Sequence, residues 1–187
     1  RTSLKKYSAG HPIHGPLDGL LQILSEQTLR PDDIAEITVW MAPGAANTVD
    51  GRDTLNISIH NILSIAIYER KMEIEQSHSE TLAQDPRVQA MRQRIKVVRD
   101  EELGKEFPAK APSRIEVATT DGRKFRQSRE YSPGEPENPL TRQEVVDKFM
   151  SLSSPVIGKA KAEKLLRLVD SLESVGDVRE IGDLLRV

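Results

Sequence analysis

Leu17, Leu20, Leu21 and Leu24 recur at the spacing of one helix face, which predicts a helix over 16–29 with Pro16 in its first turn. Pro31-Asp32-Asp33 turns the chain, and Ile34, Ile37, Val39 and Met41, with Trp40, predict a strand over 34–42 closed by Pro43-Gly44. Residues 43–53 are polar and read as a loop. The stretch 54–69 is β-branched yet long, and Leu55, Ile59, Ile62, Leu63, Ala66 and Ile67 keep helical spacing, so a helix is expected. Ile57 and Ile65 lie off that face, which predicts burial nearly all round. Residues 79–93 read as short helices broken at Asp85-Pro86, 94–99 as a strand, and 100–112 as a charged loop. Ile115 and Val117 alternate with polar residues, Asp121-Gly122 makes a tight turn, and 113–130 is a hairpin.

Residues 131–139 (YSPGEPENP) hold three prolines and read as a linker. Beyond it the pattern is helical throughout. Thr141 to Glu144 has the form of a capping box, followed by Val145, Val146, Phe149 and Met150. Leu165, Leu168, Val169 and Leu172 share a face, as do Val178, Ile181, Leu184 and Leu185. The expected class is α+β: a two-layer domain of about four strands plus helices over 1–135, then C-terminal helices over 136–187.

Composition narrows the function classes. The 187 residues carry 27 Lys and Arg against 29 Asp and Glu, a net charge of -2, which argues against a polybasic binder of nucleic acid. No apolar run reaches the roughly 20 residues of a membrane span, and no signal peptide opens the chain. Cysteine is absent, so disulfides, thiol nucleophiles and Fe–S clusters are excluded and a cytoplasmic location is expected. With three Phe, three Tyr and one Trp, the core must be aliphatic. The first residue is Arg1, which reads as a processed or excised chain.

The richest chemistry lies in Leu4-Lys5-Lys6-Tyr7-Ser8-Ala9-Gly10-His11-Pro12-Ile13-His14-Gly15. Gly10, Pro12, Gly15 and Pro16 prevent regular structure, so Lys5, His11 and His14 are presented from a loop. A cation beside titratable imidazoles suits proton transfer on an anionic substrate. The bland reading is a polar, loosely ordered terminus. A metal hydrolase using His11, His14 and His60 is a further alternative, although no carboxylate has the spacing to complete such a site. Asn56, His60 and Ser64 form a polar stripe on the apolar helix, bordered by Asn61, and this seam either finds structural partners or lines a wet pocket. His78 reads as solvated, and Arg92, Arg94 and Arg99 as surface charge.

Four segments, in order, resemble the MmgE/PrpD family, which includes 2-methylcitrate dehydratase of propionate metabolism, cis-aconitate decarboxylase and iminodisuccinate epimerase. They are Lys5-Lys6-Tyr7 through His14 to Asp18; Asn56-Ile57-Ser58-Ile59-His60-Asn61-Ile62-Leu63; Asp85-Pro86-Arg87-Val88 through Ile95-Lys96-Val97-Val98; and Gly134-Glu135-Pro136-Glu137-Asn138-Pro139-Leu140-Thr141 through Lys148-Phe149. The resemblance implies a lid domain and returning helices, with an all-helical N-terminal domain missing from this chain. It implies a cofactor-independent lyase (carbon–oxygen, as in the dehydratase) or isomerase acting on a small di- or tricarboxylate between the domains, no metal, and an inactive isolated fragment. Lys5 matches the family's lid lysine. The family's loop histidine aligns with Gly10, next to His11, and His14 matches a later histidine. His60 and Asn61, expected to bind substrate, stand where some members have Gln-Tyr, and Ser8 replaces the usual proline. A homo-oligomer is expected. The alternative from another class is a non-catalytic α+β binding module.

Overall fold

The computed structural model describes residues 2–186. Gly10 and Pro12 shape a single 3-10 turn at His11–Ile13 that leads straight into α1, His14–Glu26, which therefore starts and ends earlier than its leucines suggest. β1 runs Ile34–Met41. The next segment corrects the expected loop: Pro43–Val49 is a helix, α2, whose Ala45, Ala46 and Val49 turn inward. Pro43 suits the first helical position, and the small alanines let the short helix pack.

Ser58 caps α3, Ile59–Glu69, by accepting from the Asn61 backbone N–H. Residues 54–58 are turn rather than helix, so Asn56 leaves the polar stripe and only His60, Asn61 and Ser64 remain on α3. Arg70 ends α3 in the left-handed region (φ 58°), and its guanidinium donates to the Leu24 and Leu29 carbonyls. The short helices α4 (Ile74–Ser77), α5 (Glu80–Gln84) and α6 (Pro86–Arg92) follow. The Asp85 side chain accepts from the Arg87 backbone N–H to cap α6, and the same arginine's side chain holds the Asp85 carboxyl down to about 2. β2 (Ile95–Arg99) leads into α7 (Glu101–Gly104), a turn of helix inside the expected loop. β3 (Ser113–Thr119) and β4 (Lys124–Arg129) form the hairpin, with Gly122 at φ 86° in its turn.

The strands order β2-β1-β3-β4, parallel between β1 and β2 and antiparallel elsewhere. Ile37, Val39 and Met41 of β1 and Ile115 and Val117 of β3 join Leu17, Leu20 and Ile23 of α1 and the apolar residues of α3 in one aliphatic core. Each such side chain contributes about 1.5–3 kcal/mol on burial. The alternate positions carry ion pairs, Lys96 with Glu36, and Lys124 and Arg126 with Glu116. This is an α+β fold.

The chain divides into two units, Arg1–Pro139 and Leu140–Val187. In the second, Thr141 and Glu144 complete the expected capping box of α8, Arg142–Ile157. α9, Lys159–Asp170, packs on α8 and on α10, Arg179–Leu184. Among this unit's described residues only Ala162 and Leu165 are fully buried apolar side chains.

Candidate functional site

Met41, Arg99, Ser113 and Arg129 are register partners across the four strands and mark one end of the sheet. It includes the C-terminal ends of the parallel pair, where α/β folds commonly present ligand-binding loops. α2, α7 and the 131–139 loop leave from this end. The start of α1 lies against it: a Cβ on Gly15 would stand 2.4 Å from the Ser113 Oγ.

The Lys5–His14 segment is held here from several sides. Leu4 N–H donates to the Gly134 carbonyl at 2.9 Å, and Gly10 N–H to the Asn56 carbonyl at 2.8 Å. Lys6 Nζ lies 3.1 Å from Asp18 Oδ1, the Tyr7 hydroxyl donates to the same oxygen at 2.8 Å, and Arg129 Nε reaches Asp18 Oδ2 at 2.8 Å. Burial pushes the Asp18 carboxyl up. The bonds from Arg129 and Tyr7 and the Lys6 charge outweigh it, so the group sits below the usual carboxylate value. The loop is thus anchored rather than loosely ordered.

Lys5 is exposed and donates to the Ala9 carbonyl at 3.3 Å. His11 is half-buried; its Nε2 lies 3.3 Å from Glu135 Oε1. Its ring stacks on His14, centroids 5.7 Å apart, and His14 meets the Tyr7 ring edge-on at 5.5 Å. His14 is 0% exposed, with Nε2 3.4 Å from the Ala9 carbonyl. A cleft of about 190 Å³ opens beside His11, lined also by Thr2, Ser3, Pro108, Ala109, Glu135 and Glu137.

His60 and Asn61 diverge although adjacent. His60 Nε2 lies 3.0 Å from Asp50 Oδ1, and Arg99 Nη2 lies 3.1 Å from Asp50 Oδ2. Burial raises the Asp50 carboxyl, but His60 and Arg99 together bring it below its ordinary value. Asn61 is buried and donates to the Leu55 carbonyl at 3.1 Å, leaving its Oδ1 without a partner. His78 is exposed, as expected, and also bonds Asn56 Nδ2 and Ser77 Oγ. Among the described residues no group of three or more His, Cys, Asp or Glu is placed to hold a metal ion. No helix among them is long and apolar enough to cross a membrane.

Glu135 and Asp50 were not singled out by the sequence. Glu135 lies inside the Gly134-to-Thr141 motif, which signals a fixed loop but not which histidine the loop meets. Asp50 carried no motif at all.

The family model of the MmgE/PrpD C-terminal domain matches residues 7–174, and so covers the anchored loop from Tyr7 onward, leaving Lys5 and Lys6 outside the match, together with the sheet and most of the second unit. The chain belongs to the MmgE/PrpD family. A search of curated proteins returns no match. Membership leaves the reaction and substrate open.

Proposed function

We propose that this chain is the lid portion of a lyase or isomerase acting on a small di- or tricarboxylate, with Lys5 and His11 as the lid's catalytic residues. The observation that carries this reading is the anchored loop: it sets a half-buried imidazole, His11, in the wall of a cleft and carries an exposed ammonium, Lys5, bonded to the Ala9 carbonyl of the same loop. Dehydration, decarboxylation and epimerisation of such acids share one barrier, a carbanion or enolate next to a carboxylate. Lys5 supplies fixed positive charge for the developing anion, and His11 moves the proton. His14, closed to solvent behind His11, supports that ring. His60 is proposed to contact substrate from the start of α3, with Asp50 and Arg99 behind it, whereas Asn61, buried and bonded to the Leu55 carbonyl, holds the turn before α3 rather than the substrate.

A helical domain is proposed to close the other side of the site and to cover the second unit's helices, and the enzyme to be a homo-oligomer of the cytoplasm needing no metal or organic cofactor. The test is turnover of 2-methylcitrate, cis-aconitate and iminodisuccinate by the protein joined to such a domain and by this chain alone. The joined protein is expected to convert one of them and the chain none. Turnover by the isolated chain overturns the two-domain site; failure of both with all three acids favours a binding module.

A further inference from the structure

We propose that Glu135 is the positioning residue for His11: it holds the imidazole proton on Nε2 and leaves the lone pair on Nδ1, making His11 the proton-transfer group of this lid. The inference rests on the reading of this cleft as a proton-transfer site. Its evidence is the way the 131–139 loop is built.

That loop fixes the Glu135 backbone tightly. Gly134 N–H donates to the Asn138 carbonyl at 2.8 Å, Asn138 N–H returns to the Glu135 carbonyl at 2.9 Å, and Glu135 N–H donates to Ser132 at 3.2 Å. The Asn138 side chain adds a bond to the Tyr131 carbonyl at 3.2 Å. Gly134 carries the positive φ of 93° that this closed turn needs. The same loop accepts from Leu4, the residue before Lys5. One turn therefore registers both candidate groups, Lys5 through the backbone and His11 through a carboxylate.

Charge makes the placement informative. The Glu135 side chain is 14% exposed in the wall of the cleft, where an isolated carboxylate would repel a polyanionic substrate. Beside His11 it does the reverse. A carboxylate next to Nε2 favours the tautomer protonated there and stabilises the imidazolium that forms when Nδ1 takes a proton. The His14 ring, stacked on the other side, limits rotation. Position 10, where the family's loop histidine aligns, carries no side chain in this chain. A Cβ there would stand at ordinary contact distance from the Ile57 Cα, the Asn56 carbonyl and Ile13 Cδ1, 3.6–3.7 Å away.

The experiment is nitrogen-15 NMR of the histidine rings in this chain, at a pH where imidazoles are neutral, about 8.5. Wild-type His11 is expected to show a protonated Nε2 and an unprotonated Nδ1. Glu135→Ala should lose that preference and give averaged ring shifts. Glu135→Gln, whose amide oxygen still accepts, should keep it. Unchanged backbone spectra confirm that the loop persists. A protonated Nδ1 in the wild type, or an unchanged His11 in Glu135→Ala, overturns the assignment. In the protein joined to its helical domain, Glu135→Ala is expected to lower kcat about 10–100-fold with KM little changed, and Glu135→Gln to recover part of it. An equal loss in both variants, or a loss confined to KM, overturns the positioning role. If the tautomer result holds while no carboxylic acid is turned over, the Glu135–His11 assignment stands and the lyase reading fails.

Discussion

Asp18 accepts from Tyr7, Lys6 and Arg129 at once and ties the loop, α1 and β4 together. Its folded pKa is depressed. Its contribution to stability is therefore complete above the unfolded carboxylate value, about 3.9, and is lost as the pH falls through the lower folded value. Asp18→Asn is expected to destabilise the chain by about 1–3 kcal/mol at neutral pH, since it leaves buried donors poorly satisfied. It should also flatten the acid limb of the stability curve, measured by denaturant titration between about pH 2 and 6. Lys5→Ala and His11→Ala should behave oppositely in the protein joined to its helical domain. Neither opens a core cavity, so melting temperature stays close to wild type while the rate falls roughly 10²–10⁴-fold. Preserved turnover with lost stability would make the loop structural. At this scale the sequence showed the residues that carry reactive groups and not the ones that hold them. Lys5, His11 and His60 stand out by type and local spacing. Glu135 and Asp50 acquire meaning only when distant segments meet at the sheet end.

The elements legible in the sequence were those whose pattern reports burial on one face. β1 and the hairpin followed their alternation, and α1 its leucines. α2 is hidden in the sequence because Pro43-Gly44 punctuates a strand end as readily as it opens a helix, and because Asn47 and Thr48 dilute its short apolar face. Periodicity extends α3 too far toward the N-terminus, since Leu55 fits the helical spacing while Ser58 caps the true start. Nothing in periodicity reveals how closely α1 approaches the sheet. A Cβ on Gly19 would stand 2.8 Å from Ile115 Cγ2 and 3.2 Å from Gln127 Cβ. Gly19→Ala, a helix-favouring change on an isolated helix, is therefore expected to destabilise this protein by about 1–3 kcal/mol through overpacking. Combined with Ile115→Val, which removes only Cδ1 and keeps the contacting Cγ2, the loss should not be recovered in thermal melts. A stabilised Gly19→Ala single variant would show that α1 can move off the strands at little cost.

At the scale of the whole molecule, the two units differ in how completely they bury their apolar residues. The first encloses an aliphatic core that the sequence predicted from composition alone. The second has the capping box and the helices that the sequence predicted, but their stripes are poorly covered. Phe149, Leu168, Ile181 and Leu184 are half-buried, Val169 and Leu172 are about half exposed, and Val178 is 65% exposed. Helix boundaries follow from local capping and spacing, whereas what covers a stripe depends on residues that local pattern does not contain. Each of these side chains would contribute about 1.5–3 kcal/mol on full burial, which favours covering them by association. The isolated chain is therefore expected to associate through residues 141–186. Its mass by light scattering should rise with concentration, and amides of α8, α9 and α10 should exchange faster in dilute solution than in concentrated solution. The amides of α3 and β1, inside the first unit's core, should stay protected at either concentration. A helical domain supplied in trans should suppress the association and protect the same three helices. A chain that stays monomeric with α8, α9 and α10 fully protected would count against a missing partner domain and support a self-contained module.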